Sequence, residues 1–183
     1  QLHAAVYDHF RGAYNATAHM IAHGHEAIAT ITGPLSSESS VERLAGYKTA
    51  LKDHGLSFDP QWEVEGTYGE TPSVERFIAH FRNKRWPKAI VAGNDYMALG
   101  LLRYTRHHRD PSVRATAIVG FDDIEAASYM GLTTLQGPIE ELGRRLTSLL
   151  IELIQAEQRA IAPITKLLPV RLVVRNSCGC VSG

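Results

Sequence analysis

The sequence lacks several features that would indicate a function directly. Its 183 residues include 19 Lys and Arg against 19 Asp and Glu, so the formal net charge at pH 7 is zero. A chain without excess positive charge has no electrostatic footprint for nucleic acid or for an anionic membrane. No apolar run approaches the ~20 residues that are needed to cross a bilayer. We therefore expect this chain itself to contact neither DNA nor a membrane.

Motifs of catalysis and cofactor binding are also missing. The sequence has no G-x-G-x-x-G fingerprint, no phosphate-binding loop and no G-x-S-x-G nucleophile elbow. We therefore expect no enzyme activity and no cofactor. The first ten residues, QLHAAVYDHF, lack the basic start and the apolar centre of a signal peptide, which favours a cytoplasmic location.

Cysteine is scarce, with Cys178 and Cys180 forming one C-x-C triplet near the end. Closed zinc sites need four ligands, so this triplet alone is a poor metal signal, and we expect free or structural thiols in a reducing compartment. His19 and His23 lie four residues apart on a predicted helix, a spacing at which two imidazoles can face one metal ion. Because H-E-x-x-H is absent and the sequence identifies no third ligand, we expect no metal site.

The sequence does contain a regular alternation of short apolar runs with amphipathic helices. The runs AIATIT (27–32), AIVAG (89–93) and AIVGF (117–121) predict buried strands, and WEVEG (62–66), TTLQ (133–136) and a segment through Val170, Leu172 and Val174 predict shorter ones. Helix starts are predicted at the capping box Ser39-x-x-Glu42, at Thr71–Pro72, at Asn94 and at Pro138. This alternation predicts an α/β fold in which helices cover both faces of a parallel sheet, giving three αβα layers.

Polar residues follow several of the predicted strands. In parallel sheets ligands bind outside the carboxyl ends of the strands, so these residues should share one edge. They are Asn94 and Asp95 after the second run, Asp122 and Asp123 after the third, and Tyr68 after WEVEG. With Arg43, this set suits a polyhydroxylated ligand, because carboxylate and amide oxygens accept from hydroxyls, Arg donates, and an aromatic ring covers the apolar side.

Other interpretations of the same residues remain open. Asn94 and Asp95 could serve only to cap a helix, Arg43 could lie on a solvated helix face beside Tyr47, and Tyr68 could pack in the core. The carboxylates of Asp95, Asp122 and Asp123 could instead hold Mg²⁺ in an α/β hydrolase. That reading lacks a nucleophilic Asp-x-Asp motif and a phosphate cradle in the sequence.

Four longer stretches resemble the effector-binding core of the LacI/GalR transcription regulators. They are HMIAHGHEAIATITGPLSSESSVERLAGYKTALKDHGL, AIVAGNDYMALGLLR, AIVGFDDIEAASYMGLTTLQGPIEELGRRLTSLLIELI and LLPVRLVVRNSCG, in the family's order. The resemblance implies the fold of type 1 periplasmic sugar-binding proteins, in which two Rossmann-like subdomains flank a ligand cleft. It also implies that the family's helix-turn-helix and nearly all of its first subdomain lie outside these 183 residues.

The resemblance further implies a division of the chain. Residues 1–7 would end the first subdomain, 8–135 would form the effector-binding second subdomain, 136–165 would hold a crossover and a helix that packs on the first subdomain, and 166–183 would contain the final returning strand. The leucine face of the helix from Pro138 would then lack its usual partner. We expect this face to fold back onto the second subdomain or to be buried in an oligomer.

The resemblance also assigns roles to particular residues. Ligand contacts are implied for Arg43 in VERLAGY, Tyr68, Asn94 in GND, Asp122 in GFDD, Gln136 in TTLQ and Ser37 in the loop after ITGP. Dimer contacts are implied for Ala98, Leu99, Leu102 and Met130. The implied protein is a homodimeric regulator that senses a small-molecule effector, expected to be a sugar, and reads DNA through an N-terminal domain. The alternatives are a periplasmic sugar receptor of a transporter and the Mg²⁺-dependent hydrolase.

Overall fold

A computed structural model describes residues 4–155 and 165–180. In chain order the strands are β1 Ala4–Tyr7, β2 Ile28–Thr32, β3 Glu63–Glu65, β4 Ala89–Ala92, β5 Ala117–Phe121, β6 Thr133–Gln136, β7 Thr165–Leu168 and β8 Arg171–Val173. The helices are α1 His9–Ala22, α2 Glu38–Asp53, α3 Glu70–Phe81, α4 Asp95–Arg106, α5 Pro111–Arg114, α6 Glu125–Tyr129 and α7 Ile139–Gln155. Short 3₁₀ turns lie at Pro60–Trp62 and Asn176–Cys178.

The main sheet has six strands in the order β3-β2-β4-β5-β6-β8. Its first five strands are parallel, and β8 joins β6 antiparallel at one edge. Strands β2, β4 and β5 are buried along their whole length, as their unbroken apolar runs require when helices cover both faces. The predicted α/β sheet is confirmed.

Two hydrophobic clusters fill the space on the two faces of this sheet. On one face Phe77 of α3 and Leu101 of α4 pack against the strands. On the other face Met20 of α1 and Tyr47 of α2 do so, and the Tyr47 hydroxyl donates to the Ile28 carbonyl at 2.7 Å. The structure therefore has the three αβα layers that the alternation of strands and helices predicts.

Some boundaries differ from those that the sequence predicts. Helix α2 begins at Glu38 with Ser37 as its N-cap, so the predicted capping box starting at Ser39 is wrong. The chain adopts its turn earlier because the Ser37 amide already donates to the Pro34 carbonyl at 3.0 Å. The strand predicted through Val170, Leu172 and Val174 corresponds to β8, and residues 165–168 form an additional strand, β7, which pairs in parallel with β1 in a separate two-stranded sheet. Only β8, from Arg171, returns to the main sheet.

Helix α7 is strongly amphipathic but has little to pack against. Among its described side chains only Leu149 is buried, while apolar residues on the helix stay exposed, namely Ile139, Leu146, Leu150, Ile151 and Ile154. Its main neighbour is β1. The expected apolar face without a partner is thus present, and within the described residues it does not fold back onto the main sheet. None of the described helices combines the length and the apolar character that a bilayer crossing demands.

Candidate functional site

The carboxyl ends of β2, β4 and β5 bring three loops to one edge of the main sheet, here called the rim. Gly33 follows β2, Gly93 follows β4 and Asp122 follows β5. The first two loops run close together: a Cβ atom at Gly93 would lie 3.1 Å from the Gly33 nitrogen, and one at Gly33 would overlap the Tyr68 ring. Glycine at both positions therefore lets the backbone and the tyrosine ring meet at the rim.

Arg43 reaches the rim from helix α2. Its guanidinium carbon lies 3.8 Å from the centre of the Phe121 ring, and an N–H donates to the Gly93 carbonyl. A second guanidinium nitrogen lies 3.2 Å from Nδ1 of His9. Burial lowers the pKa of Arg43, and the charge of Asp122 counteracts this. Arg43 is thus a fixed cation at the rim, and the alternative of a solvated helix face is wrong.

Asp122 supplies the negative charge of the rim. Its φ of 122° is unusual for a residue with a side chain, and Asp123 follows with a φ of 55°. Such conformations cost of order 1–3 kcal/mol and cluster at functional sites. Partial desolvation raises the pKa of Asp122 to about 6, and the charge of Arg43 opposes this increase. Within residues 4–155 and 165–180, no group donates a hydrogen bond to this carboxylate.

Tyr68 lies beside the serines at the start of α2. Its φ is 64°, and its hydroxyl is 2.5 Å from Oγ of Ser40 and 3.1 Å from Oγ of Ser39. Burial raises the pKa of Tyr68, but hydrogen bonds from Ser39, Ser40 and Ser37 outweigh it, so the pKa is lowered overall. Ser37 joins the same group through Oγ of Ser39 at 2.9 Å. The ring covers Gly33, so Tyr68 is partly a packing residue and partly a wall of the rim.

Asn94 and Gln136 are both committed to contacts within the chain. Asn94 is buried, accepts from the Met97 amide at 3.0 Å and donates to the Tyr68 carbonyl at 3.0 Å, which confirms its predicted helix cap. Gln136 donates to Asp123 at 2.7 Å and accepts from Arg171 at 2.6 Å. Asn94 therefore supports the rim through Tyr68, and Gln136 lies in a network at the β6–β8 edge. Ligand contact by either side chain stays a prediction.

Asp95 does not share the role of Asp122. It is fully buried and accepts from the Thr134 hydroxyl at 2.5 Å and from the Ile124 amide at 2.9 Å. Burial raises its pKa to about 6. Asp123 pairs with Arg175 at 2.7 Å. In the described part of the chain these aspartates form no cluster that could hold a metal ion, which removes the basis of the Mg²⁺ hydrolase interpretation.

Two rim residues were missed at the level of sequence. His9 is the first residue of α1, and its ring lies 5.6 Å from that of Phe121. Burial, and secondarily Arg43, lowers the pKa of His9 to about 4, so its ring is neutral near pH 7. Phe121 ends β5, where the apolar run predicts only a strand residue, although its position directly before Asp122 is a signal for a place at the rim. His9 has no such signal, because it reaches the rim only through the packing of α1 on α2.

The residues expected at a dimer interface divide into two groups. Ala98 and Leu102 are buried in the core of the chain, with 0% and 4% of their surface exposed. The expectation that they present a surface to a partner is therefore corrected: they lie on the inner face of α4. Leu99 and Met130 are half-buried, so part of each side chain reaches the surface.

Comparison with known proteins agrees with this architecture. The model of the periplasmic binding protein-like domain family matches residues 17–178. The ribose operon repressor of Escherichia coli (strain K12) is 35% identical over 159 residues, which cover 81% of this chain and 47% of the repressor. The repressor PurR of Aliivibrio fischeri is 33% identical over 149 residues, which cover 79% of this chain and 44% of that repressor.

Solved structures give the same result. The complex of the transcriptional regulator CelR with cellobiose superposes with a TM-score of 0.84 at 30% identity, covering 97% of this chain and 54% of that one. The chain thus spans about half the length of the curated relatives that it matches. These findings confirm the resemblance noted from the sequence. The chain belongs to the periplasmic binding protein-like domain family, in the form found in LacI-type transcription regulators.

Proposed function

We propose that this chain is the effector-binding part of a LacI-type transcriptional regulator and that the rim binds a sugar or a related polyol. The observation that carries the proposal is the Asp122 carboxylate, which has no hydrogen-bond donor among the described residues and interacts electrostatically with the Arg43 cation. A carboxylate accepts from two neighbouring hydroxyls, and a guanidinium donates in a fixed fork, so the pair matches a polyhydroxylated ligand. The neutral His9 ring accepts from Arg43 at Nδ1, so its Nε2 carries the proton and adds a donor.

The output of the regulator follows from coupling between two sites. An effector that binds one relative orientation of two subdomains better than another shifts the population of orientations. DNA affinity in an N-terminal domain changes with that population, in the cytoplasm, where DNA is read. Relatives that are transcriptional repressors support this proposal over a transporter receptor and over an enzyme.

The test is a two-dimensional amide NMR titration of the chain, which detects millimolar affinities. The ligands are monosaccharides, disaccharides and polyols, with purine nucleosides as the competing class that the relative PurR suggests. We expect shifts at Gly93, Phe121 and Asp122 with a sugar and their loss in Asp122→Asn. Asp53→Asn, which neutralises an exposed aspartate at the last residue of α2, is the matched control and should bind normally. Shifts confined to other regions would contradict the proposal.

We also propose a homodimer through the outer faces of α4 and α6. Beside the half-buried Leu99 and Met130, Tyr96 and Tyr129 keep 55% and 79% of their surface exposed. Aromatic residues exposed in this way are typical of interface cores. Leu99→Glu should weaken the dimer in analytical ultracentrifugation, whereas Val41→Glu, at an exposed apolar position on α2, should not. An unchanged dimer in Leu99→Glu would place the interface elsewhere.

A further inference from the structure

The two metal-ligand motifs that looked too weak in the sequence meet in the structure. His19 lies in the last turn of α1, and His23 is its C-cap. Cys180 follows the 3₁₀ turn that ends at Cys178. Its sulfur lies 3.3 Å from Nε2 of His19 and 3.1 Å from Nε2 of His23. Three potential metal ligands that are far apart in sequence therefore form one cluster, in which the ligand atoms all lie within 4.8 Å of one another.

These separations fit the edges of a metal coordination polyhedron. Zinc binds thiolate sulfur at ~2.3 Å and imidazole nitrogen at ~2.0 Å, which places S and N ligands ~3.5 Å apart in a tetrahedron. Small shifts of flexible side chains would bring the two S···N distances to that value. The described residues contain no other group of three or more ligands with this spacing.

The imidazole of His23 already has the tautomer that a metal ligand needs. Its Nδ1 lies 2.7 Å from the carbonyl oxygen of His19, to which it donates, so the lone pair of Nε2 faces the sulfur. Metal-binding histidines characteristically donate their other ring N–H to a carbonyl or a carboxylate. His107 makes the same contact, 2.8 Å from the Arg103 carbonyl, but faces no thiol. His23 therefore differs from His107 in its contact with the Cys180 sulfur.

The cysteine segment is held firmly against the sheet. Ser177 is buried, and its hydroxyl donates to the Ile118 carbonyl at 2.6 Å and accepts from the Thr133 amide at 2.7 Å. Cys178 is buried in the core, and Gly179 takes a φ of 75°, a left-handed turn that glycine adopts without strain. This turn directs Cys180 back to α1. The site is therefore preorganised on two anchored elements rather than on a free tail.

We propose that His19, His23 and Cys180 bind one divalent transition metal, with zinc as the best chemical match. Imidazole and thiolate together select zinc-like ions over Mg²⁺ or Ca²⁺, which prefer oxygen. The Cys178 sulfur lies only 2.6 Å from that of Cys180, so both thiols must stay reduced for the metal to bind. Water or another small ligand completes four-coordination. On binding, the Cys180 thiol loses its proton to solvent, and no electron is transferred.

The bound metal would act as a structural clip. It would tie the end of α1 to the segment after the last strand, and these parts lie 157 residues apart in sequence. The clip is also separate from the rim, because α1 is 14 residues long and spans about 20 Å between His9 and its other end. The inference therefore stands whether or not the rim binds a sugar.

The test uses the reduced, chelator-treated chain. Zinc affinity is measured by competition with a chromophoric chelator, and Co²⁺ serves as a spectroscopic probe. We expect one metal per chain, a thiolate-to-Co²⁺ charge-transfer band and ligand-field bands of four-coordination. Cys180→Ser and His23→Ala should each weaken zinc binding on the order of 100-fold, and Cys180→Ser should abolish the charge-transfer band. The matched control His107→Ala should bind as the unmodified chain does.

Three results would overturn the inference. One is a Co²⁺ spectrum without a thiolate band, which needs no variant and so does not depend on the folding of one. Another is a Cys178–Cys180 disulfide in chain purified without added oxidant, because an oxidised sulfur is no longer a thiolate ligand. A melting temperature that zinc raises equally in the unmodified chain and in Cys180→Ser would also contradict it.

Discussion

The ends of two neighbouring strands show how one sequence pattern can serve two purposes. An apolar run ends on a carboxylate at Asp95 after β4 and at Asp122 after β5, and desolvation raises the pKa of each to about 6, although Asp95 is buried and Asp122 is exposed. Asp95 accepts two hydrogen bonds inside the chain, whereas Asp122 accepts none from the described residues. The first carboxylate therefore holds the loops together, and the second stays available for a ligand. Hydrogen-bond partners and exposure, rather than position along the strand or pKa, distinguish the two carboxylates.

The largest effect on the free energy of unfolding is expected for Asp95→Ala. The substitution leaves the Thr134 hydroxyl and the Ile124 amide without their acceptor in a buried place, and each such group costs ~1–3 kcal/mol. We expect a loss of about 3 kcal/mol in urea denaturation. Asp53→Asn, at an exposed position, should change stability by less than ~0.5 kcal/mol. A loss below ~1 kcal/mol in Asp95→Ala would remove the contrast between the two strand ends.

A smaller loss is expected for Asn94→Ala, directly before Asp95. It removes the cap of α4 and the hydrogen bond to the Tyr68 carbonyl, and loss of a cap typically costs ~1 kcal/mol. We expect about 1.5 kcal/mol by the same measurement. Asn94→Ser keeps a capping oxygen and should recover roughly half of the loss. Equal losses in both variants would show that the cap contributes little.

Stability and effector affinity are expected to change in opposite directions with pH, so measuring both distinguishes the two roles of the carboxylates. The pKa values of Asp95 and Asp122, about 6, exceed the ordinary 3.8, so the folded chain holds each proton more tightly than the unfolded chain does. Their contribution to stability therefore increases as pH falls from about 7 towards 4.

In the proposed site the effector is bound by the ionised Asp122, so affinity should fall about tenfold between about pH 7 and pH 5. The nearby His9, with a pKa of about 4, stays neutral throughout this interval, and Arg43 stays charged. The checks are urea denaturation and NMR titration at several pH values. Affinity that is independent of pH would exclude Asp122 as the acceptor, and the stability profile of Asp122→Asn should be shallower than that of the unmodified chain.

The sequence was sufficient for the sheet and for the location of the rim, since both follow from periodicity and from strands ending on polar residues. It could not distinguish Asp95 from Asp122, because Thr134 and Ile124, the partners of Asp95, come from a strand and a loop that are remote in sequence. For the same reason it did not identify His9, which helix packing brings to Arg43. The contact of Cys180 with the α1 histidines also depends on tertiary structure.

The smallest effect on stability is expected for Asp122→Asn, although it should abolish effector binding. No hydrogen bond from the described residues is lost, and the substitution removes a charge whose raised pKa shows that its surroundings disfavour ionisation. The pKa of about 6 already includes the attraction to Arg43, so loss of the charge should not lower stability, and solvent around the exposed Asp122 keeps any gain small. We expect the free energy of unfolding without ligand to change by less than ~0.5 kcal/mol at pH 7. A loss comparable to that of Asp95→Ala would mean that Asp122 is also a structural carboxylate, and the ligand would then have to be recognised by Arg43 and His9 without it.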